Sequence, residues 1–281
     1  MSDTATAINL GTTGVHYVER ELTPEAAAEV ERLGYTALWI AGTREARLTT
    51  VERVLAATET LVVATGVVNV WHMDARAVAD TYHWLETAYP GRFLLGIGAG
   101  HREFGADFRS RYQALVDYLD VLDERRVPKQ RRVLAALGPR MLDLARERTA
   151  GTHLYFVPVE HTRFARERLR ADKLVMPELA CVVESDPVRA KAVAREYARH
   201  HLDLRNYRQN LLDFGFTEAD LADGGSDRLL DAVIPQGSAD QIAEVVHAHL
   251  DAGADHVCLQ PLGEEGIPRH SWTALANVLG D

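Results

Sequence analysis

The 281-residue chain is 47% hydrophobic and 26% charged, the composition of an ordinary globular protein with a sizeable core. Its formal charge of −10, from 31 basic and 41 acidic residues, argues against a nucleic-acid or anionic-membrane surface but leaves room for a local basic pocket. No apolar run approaches the ~20 residues of a membrane span, and the start MSDTATAINLG lacks the basic beginning and long apolar core of a signal peptide, so a cytoplasmic protein is expected.

Short apolar strands alternate with amphipathic helices almost throughout, the pattern of a parallel α/β fold. The expected strands are residues 7–10, 37–40, 61–68, 93–97, 132–136, 153–157, 178–183 and 256–260. Eight strands with helical connections point to a closed (β/α)8 TIM barrel, read as one domain over residues 1–281. Thr23-Pro24-Glu25 and Asp186-Pro187 each start a helix with a capping side chain and a first-turn proline. Ser238 and Gln241 form a capping-box pattern, and Gly253 ends the helix they open. Residues 206–234 read as a short helical insertion before the last strand, and residues 269–279 as a closing helix. Cys181 and Cys258 sit inside apolar runs and are expected buried and reduced.

Residues 61–105 hold the densest functional signal. They read strand, loop, helix, strand, glycine loop, and both strands are nearly all apolar, as when a parallel sheet is covered on both faces. Each strand runs out into polar or glycine residues: Asn69, Trp71 and His72 after the first, Gly98, Ala99, Gly100 and His101 after the second. Strand carboxyl ends are where α/β folds place their chemistry. The run Gly96-Ile97-Gly98-Ala99-Gly100 permits close approach of a ligand, or of another backbone in a tight turn. It does not match the dinucleotide fingerprint G-x-G-x-x-G. His101 can exchange a proton near neutral pH, and His72 is a second candidate. Gly66-Val67 lies inside a strand-like run, where glycine marks a bulge, and Asn69 suits a turn as well as a ligand contact. Gly138-Pro139 opens a helix whose free N–H groups suit a phosphate, or is a plain loop before a helix. Thr162 stands in the equivalent place one unit later, as an N-cap, a phosphate donor or both. The pairs His200-His201 and His247/His249 lack the carboxylate or cysteine partners of a metal site, so no metal is expected.

With those residues in place, the chain resembles the luciferase-like oxidoreductases, the flavin and deazaflavin family with the bacterial-luciferase barrel, and within it the branch that uses coenzyme F420. The segments ATGVVNVWH, PGRFLLGIGAG, AALGPRMLDLA, the EHT loop, GFTEADLADGGSDRLLDAVIPQG and AGADHVCLQ carry the resemblance over nearly the whole length. It implies a non-prolyl cis peptide at Gly66–Val67 beneath the cofactor ring, with Asn69 facing the ring system. It also implies that Gly98–Gly100 lie along the ring and ribityl chain, and that Gly138 and Thr162 approach the phosphate. His101 falls where sugar-phosphate-oxidising relatives keep a glutamate. The acid and histidine that many F420-using relatives carry after the second strand are replaced by Ala41-Gly42-Thr43, and the AD-G before the sixth strand is Ala150-Gly151.

The implied activity is hydride transfer between coenzyme F420 and a small organic substrate in a cytoplasmic homodimer. An FMN-dependent monooxygenase of the same fold is the nearest alternative, and a cofactor-less or non-redox barrel is the second. Assigning His101 as proton donor predicts that His101→Ala lowers turnover by at least about tenfold with cofactor affinity little changed. Unaltered turnover in a steady-state assay rejects that role.

Overall fold

The structure, a computed structural model, describes residues 8–100 and 110–280. In chain order these form β1 Thr13–Val18, α1 Pro24–Arg32, β2 Ala37–Ala41, α2 Thr49–Ala56, β3 Val62–Thr65, β4 Val68–Asn69, α3 Ala75–Ala88 and β5 Phe93–Gly98. They continue with α4 Arg111–Glu124, β6 Arg132–Ala135, α5 Pro139–Arg148, β7 Gly151–Leu154, α6 Val159–Leu169, β8 Leu174–Val183 and α7 Pro187–Leu202. The remainder is α8 Arg205–Asp213, α9 Asp227–Val233, β9 Gln236–Gly237, α10 Ala239–Asp251, β10 Val257–Pro261 and α11 Arg269–Leu279. The strands pair in parallel in the order β10-β1-β2-β3-β5-β6-β7-β8, and β8 pairs back onto β10, which closes an eight-stave cylinder with β3 and β4 sharing one stave. This is the (β/α)8 barrel expected from the alternation of strands and helices. β9 merely extends β8 at Val182 and Val183.

Alternate strand residues divide between two cores, as the two-residue period requires. Leu38, Ile40, Val63, Phe93, Leu95 and Ile97 pack outward against the helices. Ala37, Trp39, Val62, Ala64, Leu94, Val133, Met176 and Cys258 face inward and fill the lower barrel. Ile8 and Leu10 join that inner cluster, which explains why residues 7–10 looked like a strand: their apolar side chains belong to the barrel interior. The first stave starts instead at Thr13, beyond Gly11 with its φ of +63°. Two further boundaries shift. The sixth stave begins at Gly151 and ends at Leu154, and the seventh reaches back to Leu174.

The helix signals hold at the level of atoms. The Thr23 hydroxyl accepts the Ala26 N–H at 3.2 Å, and Asp186 accepts from Val188 at 2.9 Å. Ser238 and Gln241 complete a reciprocal capping box. Cys181 and Cys258 are both free and buried. α8 and α9 form the insertion before the last stave, and their Leu211, Leu229 and Leu230 pack with α7 in a separate apolar cluster.

The third stave is interrupted between Thr65 and Val68, and the fifth strand packs tightly against that break. Thr65 Oγ1 accepts the Gly96 N–H at 2.8 Å and donates to the Gly96 carbonyl at 2.9 Å. A Cβ on Gly96 would overlap the Thr65 carbonyl oxygen, a backbone atom held by the same pairing. Gly96→Ala should therefore cost about 2 kcal/mol or more. Gly138→Ala, where no atom lies within 4 Å of the added methyl, should stay within about 0.5 kcal/mol. Urea unfolding of both variants checks the contrast, and equal midpoints would contradict it.

Candidate active site

The stave break lies at the carboxyl end of the barrel, and its Gly66–Val67 peptide is cis, as the resemblance implied. The Gly66 N–H still donates to Ile40 at 2.9 Å, so the bulge remains tied to β2. Above it opens a cavity of about 1020 Å³, at the upper end of the ~300–1,000 Å³ usual for small-molecule and cofactor sites. Gly66, Val67, Gly98, Ala99 and Gly100 line one side of it, and Gly138 at the start of α5 lines another. The end of α7 and the whole length of α8, from His200 to Asp213, supply a polar wall.

Backbone rather than side chain forms much of this lining. Gly98 stands against Val67, and Gly100, at φ +58°, stands against the Asn69 amide, so a larger residue at either has no free space. Gly138 is the N-cap of α5, extended at φ −74° and ψ 159°, with no side chain closing the helix end. Pro139 has no N–H, and the Met141 and Leu142 N–H groups turn back to the Gly138 carbonyl at 3.0 Å, so among the described residues the Arg140 N–H is the first-turn donor left for an anion.

Charge is distributed unevenly around the mouth. Among the described residues, Arg44, Arg111 and Arg140 line the cavity against the single carboxylate of Asp213, in a chain whose formal charge is −10. The Arg140 guanidinium lies 3.8 Å from the centre of the Tyr112 ring, and Arg111 donates to the Gly100 carbonyl at 3.4 Å. Arg44 is exposed on the loop after β2.

Beneath the cavity, polar side chains are buried in the barrel. Trp39 stacks on His153 with ring centres 4.2 Å apart and donates its indole N–H to His256 Nε2 at 3.1 Å. His256 Nδ1 then donates to the Gly11 carbonyl at 3.0 Å, which fixes its tautomer. His153 Nδ1 likewise donates to Met176 at 3.0 Å. Tyr155 shares a 2.6 Å contact with the Tyr197 hydroxyl and lies 3.1 Å from Gln260 Oε1. His16, 2% exposed, reaches the cavity between the Gly66 backbone and the Gln260 side chain, with neither ring nitrogen in a formed hydrogen bond.

Burial dominates the titration of these groups. It lowers His16 and His256 to about 4 and His153 to about 3, so all three are neutral at pH 7. It raises Glu178, fully enclosed on β8, to about 8.

The residues expected from the sequence divide accordingly. Gly66, Val67, Gly98, Ala99, Gly100 and Gly138 come together around the cavity. Asn69 acts locally: its Oδ1 accepts the Trp71 N–H at 3.0 Å, and it is not among the lining residues. Thr162 is not the cap of α6 and is not among the lining residues. α6 starts at Val159 after Pro158, and the Thr162 hydroxyl is buried 2.8 Å from His249 Nδ1. His72 is exposed in the turn before α3, outside the lining. His101 lies outside the described residues. Sequence reasoning missed His16, although one signal was present: a lone histidine inside the apolar run Val15–Val18. It also missed Arg140, which directly follows Gly138-Pro139.

Among the described residues no group of His, Cys, Asp or Glu is arranged to hold a metal, and no helix is long and apolar enough to cross a membrane.

The family model described as luciferase-like monooxygenase matches residues 8–127. No curated protein matches the chain. An F420-dependent secondary alcohol dehydrogenase solved with an F420-acetone adduct superposes with a TM-score of 0.73 at 14% identity, covering 96% of this chain and 98% of that one. The coenzyme F420 dependent tetrahydromethanopterin reductase of Methanopyrus kandleri gives 0.69 at 13% identity, covering 95% and 98%. The oxygenating constituent of the Pseudomonas putida 3,6-diketocamphane monooxygenase, in complex with FMN, gives 0.69 at 13%, covering 95% and 96%. The likeness to the luciferase-like family thus extends over residues 8–127, and the solved structures share the barrel fold over 95–96% of the chain.

The buried groups set a pH profile for stability. His16, His153, His161, His249 and His256 resist protonation only when folded, so stability should fall as pH drops from about 6.5 toward 4. Glu178 keeps its proton when folded and loses it when unfolded between its usual 4.5 and about 8, so stability should also decline as pH rises through that window. With five histidines outweighing one carboxyl below about 6.5, the melting temperature should peak near there. In Glu178→Gln the decline above the peak should disappear. Thermal melts from pH 4.5 to 8.5 check this, and identical alkaline limbs in the two proteins would contradict it.

Proposed function

We propose that the chain is a coenzyme F420-dependent oxidoreductase that transfers a hydride between the deazaflavin and a small organic substrate. The observation that carries this reading is the cavity itself: a backbone lining at Gly66–Val67 and Gly98–Gly100, with an open helix start and arginines at its mouth. A planar ring needs a flat lining without projecting side chains, and these glycines provide one. A phosphate needs an N–H donor and positive charge, which the Arg140 N–H beside Gly138 and the Arg140 and Arg111 side chains offer together on the same side. The residues present therefore fit the cofactor.

When bound, a deazaflavin supplies the carbon centre that gives or takes the hydride. The chain's own part is to orient and to exclude water. The Gly66–Val67 backbone and Gly98–Gly100 would hold the ring, with Asn69 supporting Gly100 from behind. Gly138, Arg140 and Arg111 would hold the phosphate and the acidic tail beyond it, and α8 would close the polar side. His101 follows Gly100, and we assign it the proton that accompanies the hydride. Two arginines at an open mouth suit the several carboxylates of the F420 tail better than the single phosphate of FMN. The same reading has one domain over residues 1–281 acting in the cytoplasm on a small molecule. It pairs two copies through α3, where Trp84 is 46% exposed.

Titration of the purified chain with F420 and with FMN, followed by ring fluorescence, tests the proposal. F420 should bind, and Arg140→Ala should weaken it by about tenfold, the effect of losing one charge-assisted contact. FMN binding with oxygen-dependent turnover would favour the monooxygenase. Failure of both cofactors to bind would overturn the reading.

A further inference from the structure

The cavity holds a second positive site that the cofactor reading leaves unused. Arg44 lines it from the loop after β2, while Gly138 and Arg140 follow β6, three staves further round the cylinder. Arg44 makes no ion pair or hydrogen bond among the described residues, and its neighbour Thr43, 5% exposed, has a buried hydroxyl with no partner. Gly42, at φ +76°, has nothing within 4 Å of where a Cβ would stand, so the loop is open. Deeper on the same side, the buried His16 lines the cavity beside the Gly66 backbone and Gln260, with no formed hydrogen bond at either ring nitrogen.

We propose that the β1–β2 end of the cavity is a substrate subsite for a small organic oxyanion, whose carboxylate or phosphate is taken by Arg44 while a second oxygen of the same molecule is hydrogen-bonded by His16. The identity of this ligand as substrate rests on the oxidoreductase reading; the existence of the subsite does not.

Three arguments support the assignment. First, β1 and β2 set His16 level with Trp39, and a strand climbs ~3.3 Å per residue. Ala41 thus lies about 7 Å further along the strand, with Arg44 beyond it, so the two groups approach one ligand from different depths. Second, their chemistry is complementary. Arg44 carries a permanent charge with a planar fork that matches an oxyanion. His16 is neutral at pH 7, since burial holds it near 4, and gives a hydrogen bond without adding charge. Third, buried polar groups are normally hydrogen-bonded, and His16 and Thr43 are not. A ligand that supplies an oxygen to His16 removes one of these exceptions.

Calorimetric titration of the purified chain with propionate, inorganic phosphate and lactate tests the proposal with and without saturating F420. Propionate and lactate should bind in both cases, and Arg44→Met should weaken propionate and lactate by at least about tenfold. It should leave F420 affinity within about twofold, unlike Arg140→Met. Phosphate read alongside propionate shows which oxyanion the subsite prefers. Lactate, with its added hydroxyl, should bind about fivefold tighter than propionate, and His16→Met should abolish that preference alone. Arg44 is exposed and has no partner among the described residues, so its variant should melt like the parent, and the proposal does not depend on His16→Met folding. Propionate and lactate binding unchanged in Arg44→Met, or F420 binding weakened as much as in Arg140→Met, would overturn the subsite. Equal affinity for lactate and propionate would overturn the role of His16. If F420 fails to bind while propionate still depends on Arg44, the oxidoreductase reading fails and the oxyanion site stands.

Discussion

The rest of the structure depends on the contact between the broken third stave and the fifth strand. Thr65 and Gly96 exchange two hydrogen bonds through one side chain, and the absence of a Cβ on Gly96 lets the two backbones close to that distance. Because the Thr65 hydroxyl rather than a ladder carbonyl meets Gly96 here, Gly66 and Val67 are free to leave the sheet and turn toward the barrel mouth. Val68 and Asn69 then rejoin β5 at Ile97 and Gly98. The bulge and the glycine strand therefore form a single feature: Val67 fits against Gly98 because Gly98 is bare. Flatness at the mouth of the cavity follows from this packing.

Below the mouth the barrel interior is unusually polar. Trp39, His153 and His256 form one layer, with two tautomers fixed by backbone carbonyls and only His153 Nε2 left without a partner among its polar atoms. Beside it stand groups with spare hydrogen-bonding capacity, His16 and Glu178 among them. A buried group without a partner costs free energy, so a fold tolerates it where a ligand completes it. The polarity gradient along the barrel axis runs from the apolar plug of Ile8 and Leu10 to the arginine-rimmed mouth. It separates the stabilising end of the fold from the end that can do chemistry.

Much of the barrel was legible in the sequence because parallel strands covered on both faces are written as local apolar runs, and helix starts as capping residues. The glycine positions were legible for the same local reason. What could not be read was depth and direction. Residues 8–10 and residues 13–18 are both apolar, and only closure of the barrel decides that the first plugs it and the second becomes a stave. Thr162 follows a strand just as Gly138 does, yet the helix beginning at Val159 carries it one turn inward, onto α10. His72 follows a strand and His16 lies within one; their places in the fold put one in solvent and the other in the cavity lining.

The central claim is that a tricyclic redox cofactor rests on the Gly66–Val67 and Gly98–Gly100 backbone. A crystal structure of the chain grown with F420 tests it most directly. The account predicts ring density in van der Waals contact with those five residues and phosphate density at the Gly138 end of α5. A cofactor bound elsewhere on the barrel, or a cavity that stays filled by the chain itself at saturating F420, would contradict it.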